Sequence, residues 1–301
     1  MAATQIPDRL RRFEIPGRLT LQEGNGELTK LDICTAWSRA EIYLHGAQVT
    51  AFQKKDEPPL LFLSRCSRFE RGHSIRGGIQ VLFPWFGARE GEPSHGFARI
   101  TEWELHETVA LPEGAVTARF SLPETAEQAV WPSFTAYYVV TVAAELTLEL
   151  IVTNTEPDQP FTFENCLMAY LAVGDIAAVS VCGLKGLTYL DQIENLVPKT
   201  DSADAVRFEA ELDRIYLDHT GPVEVLDTRW KRRIRIDKAG SASTVVWNPG
   251  LTKAQRIPDF GNEEYRQMVC VEPGNVARNS VTLQPGHTSL LRVCISTSPL
   301  E

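Results

Sequence analysis

The stretch FTAYYVVTVAAELTLELIVTNT, residues 134–155, is built largely from valine, threonine, tyrosine, phenylalanine and leucine. Such β-branched and aromatic side chains suit a pleated, half-buried surface. Its second half, TLELIVTNT (147–155), alternates apolar and polar residues with a period of two, the signature of a strand with one face in a core. The same pattern recurs on both sides. AEIYLHGAQVTAF (40–52) alternates and then breaks at KKDEPP, and AVTARFSLP (115–123) and QPFTFENCLMAYLAV (159–173) read as strands. Further along come VEVLDT, RRIRIDK, STVVWNP, MVCVEPG, NSVTL and TSLLRVCIS. Turn signals separate these runs: EGNGE, LPEG, HTGP, NPG, EPGN and QPGH. No long segment has helical period; TAEQAV (125–130) is too short for a helix, and TDSADAVRFEAEL (200–212) allows at most a short turn. Many short strands with regular turn punctuation predict an all-β protein, a large antiparallel β-sandwich.

The chain has 301 residues without an internal repeat, low-complexity linker or composition break, so a single domain over 1–301 is expected, with residues 1–15 loosely packed. With 43% hydrophobic and 23% charged residues it is an ordinary globular chain, large enough to bury a core. The net charge of −9 argues against nucleic acid as a partner, because duplex binding needs a basic face. It does not exclude an anionic small molecule, since two arginines suffice to hold a phosphate. No run reaches the roughly 18 apolar residues of a membrane span, and the N-terminus lacks a signal-peptide core. The six cysteines are scattered without a C-x-x-C pair, and buried free thiols in a reducing cytoplasm are expected. No metal-ligand spacing, phosphate-cradling glycine loop or G-x-S-x-G elbow is present, so no metal or cofactor is expected.

The run HSIRGGIQVLFPWFGAREGEPSHGFARI (73–100) carries an arginine at each end. Arg76 precedes Gly77 and Gly78, which allow a tight turn and close approach of a ligand. If the far end is extended, His95, Phe97 and Arg99 share one face, with Phe97 as an apolar floor between two polar tips. Two guanidinium forks suit a phosphate or carboxylate. Taken by spacing alone, the leading reading is that both arginines solvate a surface or pair with Glu90, Glu92 or Glu102. Glu272 ends the apolar run MVCV, where burial would raise its pKa toward that of a general base; a solvent-facing strand end is the competing reading. Glu263, Glu264 and Arg266 read as a solvated charged turn. Asp191 and Asp213 each lie beside aromatic and β-branched residues, as a sugar site requires, and are equally readable as turn residues. Trp247 is either a further aromatic wall or core.

Together IRGGIQVLFPWFG, HGFARITEWEL, VSVCGLKGLTYLDQ, DRIYL, VVWNP and DFGNEEYRQMVCVE resemble, in order and over roughly residues 35–295, the hexose-6-phosphate mutarotases (glucose-6-phosphate 1-epimerases) of the aldose 1-epimerase superfamily. The resemblance implies a galactose mutarotase-like sandwich, no metal, and a sugar pocket on one concave sheet face. It implies that Arg76 and Arg99 bind the phosphate, that His95 lines the sugar ring, that Glu272 is the general base, and that Asp191 faces the sugar region. One position departs: where the family has ALHTYF this chain has CLMAYL, so the family's acid histidine falls on Met168, which has no proton to give. His95 is the motif histidine left for that role, partly protonated at neutral pH if its pKa is ordinary. The expected activity is anomer exchange of an aldohexose phosphate, impaired by Met168. The alternatives are a weakly catalytic or non-catalytic sugar-phosphate-binding protein and an epimerase of another sugar. A monomer with a small-molecule hexose or hexose phosphate as partner is expected.

Overall fold

A computed structural model describes residues 6–124 and 130–300. The opening stretch forms two strands, Phe134–Val142 and Leu146–Asn154, paired antiparallel from Phe134 opposite Asn154 to Val142 opposite Leu146. In both, every second residue is buried, so the period of two seen in the sequence is the period of burial. They sit inside a nine-stranded sheet that also holds Val116–Ser121, Thr288–Pro299 and Arg232–Ala239. An eleven-stranded sheet packs against it, and a two-stranded ribbon joins Phe161–Phe163 to Val281–Leu283. Each strand pairing is antiparallel, giving the expected all-β sandwich.

The middle of the larger sheet runs, in spatial order, through Ile79–Leu82, Asn165–Ala172, Met268–Asn275, Ser243–Asn248, Leu212–Leu217 and Thr188–Asp191. Asn165–Ala172 and Met268–Asn275 are buried at every position, because both of their faces are covered. Leu167, Ala169 and Leu171 point into the core between the sheets, together with Val269, Val271 and Val246. Cys166, Met168 and Tyr170 point the other way, onto a second apolar cluster with Cys270, Val245, Trp247 and Ile215. A cavity indents this outer face, which is in that sense the concave face of the sheet.

The inter-sheet core runs from Ile6 to Ile295. Ile6 and Phe13 are buried in it and Thr108 Oγ1 donates to the Phe13 carbonyl, while Pro7, Asp8, Arg9, Arg11 and Arg12 are exposed; residues 1–5 lie outside the described residues, as do 125–129 of TAEQAV. The cysteines form no disulfide, but their burial is mixed: Cys166 and Cys270 are buried, Cys34, Cys182 and Cys294 are partly exposed, and Cys66 faces solvent.

Of residues 73–100 only Ile79–Leu82 is a strand. The double glycine serves the backbone rather than a ligand. Gly78 has φ +62, and a Cβ there would lie 2.2 Å from the Val49 carbonyl oxygen. The far end is not extended either. His95 and Gly96 both adopt positive φ, +63 and +77, and Arg99 lies in a 3-10 turn, Ala98–Ile100. Phe97 is consequently no pocket floor: it is buried between the sheets, edge-on to Trp85 at 5.9 Å.

Candidate functional site

Both arginines reach one cavity of about 290 Å³ on the concave face, with His95, Met168, Trp247 and Glu272 also in its walls. That volume suits a small polar ligand. A roomier groove of about 440 Å³, lined by Trp37, Arg39 and Lys54, carries no buried titratable group.

The two arginines are held differently. Arg76 has a carboxylate partner: Nε and Nη2 each lie 3.2 Å from Asp259 Oδ1, and Nη1 donates to the Tyr170 hydroxyl at 3.1 Å. Burial works against its charge, but Asp259 and Tyr170 outweigh it and raise the pKa. Arg99 is buried and has no ion-pair partner among the described residues. Its Nη1 donates to Gln80 Oε1 at 2.9 Å and Nη2 to the Ser94 carbonyl at 2.7 Å, while Nε is buried without a partner. Burial, reinforced by the repulsion of Arg76, pushes the guanidinium down to about 10. A desolvated cation with only neutral hydrogen-bond partners is a receptor for an anion.

His95 is held by its backbone and by one hydrogen bond. Its Nδ1 accepts from the Gly87 amide at 3.1 Å, which leaves the proton on Nε2, and its ring stands edge-on to Phe86 at 4.8 Å. Burial, and then the positive charges of Arg99 and Arg76, push its pKa down to about 3. This shift runs against the partial protonation expected at neutral pH and favours His95 as a neutral hydrogen-bond donor.

Glu272 points the same way as Met268 and Cys270, off the concave face of its strand. Burial, and then the negative charge of Asp213, raise its pKa well above the usual carboxylate range; Arg99 and Cys166, whose Sγ lies 3.9 Å from Oε2, act in the opposite direction. It is therefore no solvated strand end. The flanking pairs Cys166–Gly274 and Ala169–Val271 put Met168 directly across from Glu272 on the neighbouring strand. The side chain beside Glu272 on that face is thus a thioether.

Asp191 lies outside the cavity. It pairs with Arg214, and Arg214 is one residue from Asp213, so the alternation of the strand turns Asp191 to the opposite face. There Oδ1 accepts from the Ile193 amide at 3.1 Å and Oδ2 from Lys199 Nζ at 2.9 Å. The carboxylate on the concave face is Asp213, which lines the cavity with the neighbouring Gln192 and Lys253. The alternation of DRIYL held this signal, with Asp213 and Ile215 on one side and Tyr216 on the other. Trp247 is the aromatic wall, edge-on to Tyr170 at 5.9 Å.

Glu264 is not a solvated turn residue. It is buried, and it accepts from Ser64 Oγ at 2.6 Å, from the Gly261 amide at 2.9 Å and from the Arg65 amide at 3.0 Å. These bonds tie down the loop that carries Asp259, and hence Arg76. Burial alone would raise the Glu264 pKa, but the hydrogen bonds from Ser64, Arg65 and Gly261 bring it below the usual value. A depressed folded-state pKa stabilises the fold above the unfolded carboxylate value and loses that contribution as pH falls through the folded one. Glu264→Gln is expected to destabilise the protein at pH 7 by about 2 kcal/mol. Denaturant melts at acidic pH should show the gap between variant and parent closing.

Among the described residues no group of three or more His, Cys, Asp or Glu is placed to hold a metal ion. The chemistry on offer is proton transfer beside an anion clamp and an aromatic wall.

The family model for aldose 1-epimerase matches residues 31–295. The chain belongs to the aldose 1-epimerase family. It is 35% identical over 269 residues to a "Putative glucose-6-phosphate 1-epimerase" of Cenchrus ciliaris, covering 86% of this chain and 82% of that one. A protein of Escherichia coli with the same name is 32% identical over 240 residues, covering 78% and 79%. The crystal structure of a "putative mutarotase" from Salmonella typhimurium superposes with a TM-score of 0.86 at 27% identity, covering 95% of each chain.

Proposed function

We propose that the protein is a hexose-phosphate mutarotase, interconverting the α and β anomers of an aldohexose phosphate such as glucose 6-phosphate. The observation that carries the phosphate is Arg99: buried, without a carboxylate partner, and opening with Arg76 onto the cavity that holds Glu272. In this reading the arginines hold the phosphate, and the Trp247 face packs on the C–H groups of the ring. Glu272 takes the proton from the C1 hydroxyl, and the neutral His95 donates a hydrogen bond to the sugar. An acid protonates the ring oxygen, the C1–O5 bond opens, rotation about C1–C2 presents the other carbonyl face, and the ring closes again. The names borne by the relatives from Cenchrus ciliaris and Escherichia coli support this substrate.

Exchange spectroscopy by NMR tests it. The protein should accelerate α/β exchange of glucose 6-phosphate well beyond the buffer rate; no acceleration anywhere between about pH 5 and 8 overturns the reading. Met168 favours one other reading, a sugar-phosphate-binding protein with little turnover. Calorimetric binding of glucose 6-phosphate with no acceleration of exchange would establish it. The proposal includes a monomer, and also a reducing, cytoplasmic compartment, the latter supported by the six unpaired cysteines.

A further inference from the structure

The cavity contains a second carboxyl group, Asp213 of DRIYL, to which the resemblance gave no role. Asp213 sits on the strand Leu212–Leu217, opposite Trp247, and that strand is separated from the strand of Glu272 only by Ser243–Asn248. Both carboxyls rise from the same concave face into the same cavity. Met168 adjoins Glu272 with nothing to titrate, and the proton on His95 Nε2 belongs to a neutral imidazole, a far weaker acid than a carboxylic acid.

We propose that Asp213 is the proton donor to the ring oxygen, so that Glu272 and Asp213 work as an acid–base pair sharing one proton. This rests on the mutarotase reading. In ring opening, ionised Glu272 accepts the C1 hydroxyl proton while protonated Asp213 gives its proton to O5. The C1–O5 bonding pair stays on oxygen, and the electron pair of the O1–H bond forms the carbonyl. Closure runs back: Asp213, now ionised, takes the proton from the C5 hydroxyl as its oxygen attacks C1, and Glu272 returns its proton to O1. The pair ends as it began, and each of its two one-proton states serves one direction of the reaction.

The surroundings of Asp213 hold its proton more tightly than water holds that of a free aspartate, so it can share one proton with Glu272. Burial raises its pKa to about 6; Lys253, 3.8 Å from Oδ2, and a hydrogen bond from Gln192 lower it, and Glu211 and Asp191 add to the rise. Lys253 is partly committed elsewhere, at 2.8 Å from Glu211. The charged groups of the other cavity walls are Glu272, Arg76 and Arg99, with the neutral His95 beside them. The pair carries its single proton only between its two ionisations, so turnover should rise as pH passes about 6 and fall, on the alkaline limb, as pH passes the higher ionisation that burial and Asp213 impose on Glu272.

The test is kcat for glucose 6-phosphate exchange against pH, with the affinity measured separately. Asp213→Asn, which keeps the shape and an acceptor for Gln192, should lose about 100-fold in kcat, keep its Kd within about threefold, and lose the alkaline limb of the profile. A Tm close to that of the parent shows that the variant is folded. If Asp213 merely holds a sugar hydroxyl, the loss falls on Kd and the limb stays, which overturns the proposal. It is overturned as well if the limb vanishes in His95→Asn instead. A parent protein that fails to accelerate exchange removes the mutarotase reading itself, and this assignment with it. An active parent with an unimpaired Asp213→Asn removes this assignment alone.

Discussion

Glu272→Gln should lower kcat for anomer exchange by about 10³–10⁴-fold while leaving the Kd for glucose 6-phosphate within a few-fold. Glutamine fills the same volume and keeps an oxygen, but it cannot accept the C1 hydroxyl proton, so the loss belongs to the transition state rather than to binding. The same substitution should raise stability. The folded-state pKa of Glu272 is above its unfolded value, because burial and Asp213 penalise the charge. Such a group contributes stability below the ordinary carboxylate range and loses it as pH rises through the folded pKa. The parent Tm should therefore fall from mildly acidic to mildly alkaline pH more steeply than the Tm of Glu272→Gln, the variant being the more stable at about pH 8. A variant that binds and turns over like the parent would exclude Glu272 as the base.

Arg99→Met should weaken glucose 6-phosphate binding by about 10²–10³-fold and affect glucose far less. The side chain is desolvated by the fold itself, so its attraction for a phosphate is poorly screened by salt or water. Arg76 is committed to Asp259 and Tyr170 and cannot fully replace it. Methionine approximates the volume and removes a buried cation, so a folded variant is expected. Calorimetric titration with both sugars measures the contrast. Equal losses for the two would mean that Arg99 shapes the cavity rather than reading the phosphate.

Strand alternation and turn chemistry are local, and they carried the architecture: TLELIVTNT, AVTARFSLP and RRIRIDK are each a strand at the place where their period indicates one. The site was legible where motif and burial coincide. Glu272 at the end of MVCV, and the two arginines flanking one apolar segment, meet in one cavity. It was illegible where one residue of register separates two candidates. Asp191 and Asp213 have like neighbours in sequence, yet pairing of Asp191 with Arg214 sends only Asp213 to the concave face. Glu264 looked like part of a charged turn because its donors, Ser64 and Arg65, are about 200 residues away in the chain.

The residue types alone indicate an antiparallel β protein that resembles the aldose 1-epimerases, and they show that residue 168 is a methionine, without a titrating proton, since periodicity and identity are properties of the chain itself. Protonation and pairing arise between distant segments. Arg99 is a cation without an ion-pair partner among the described residues, His95 is neutral, and Glu272 and Asp213 share an environment only because the sheet brings strands distant in sequence to one cavity. Burial, and the charges it brings within reach, set each of those states, and neither can be read from neighbours along the sequence.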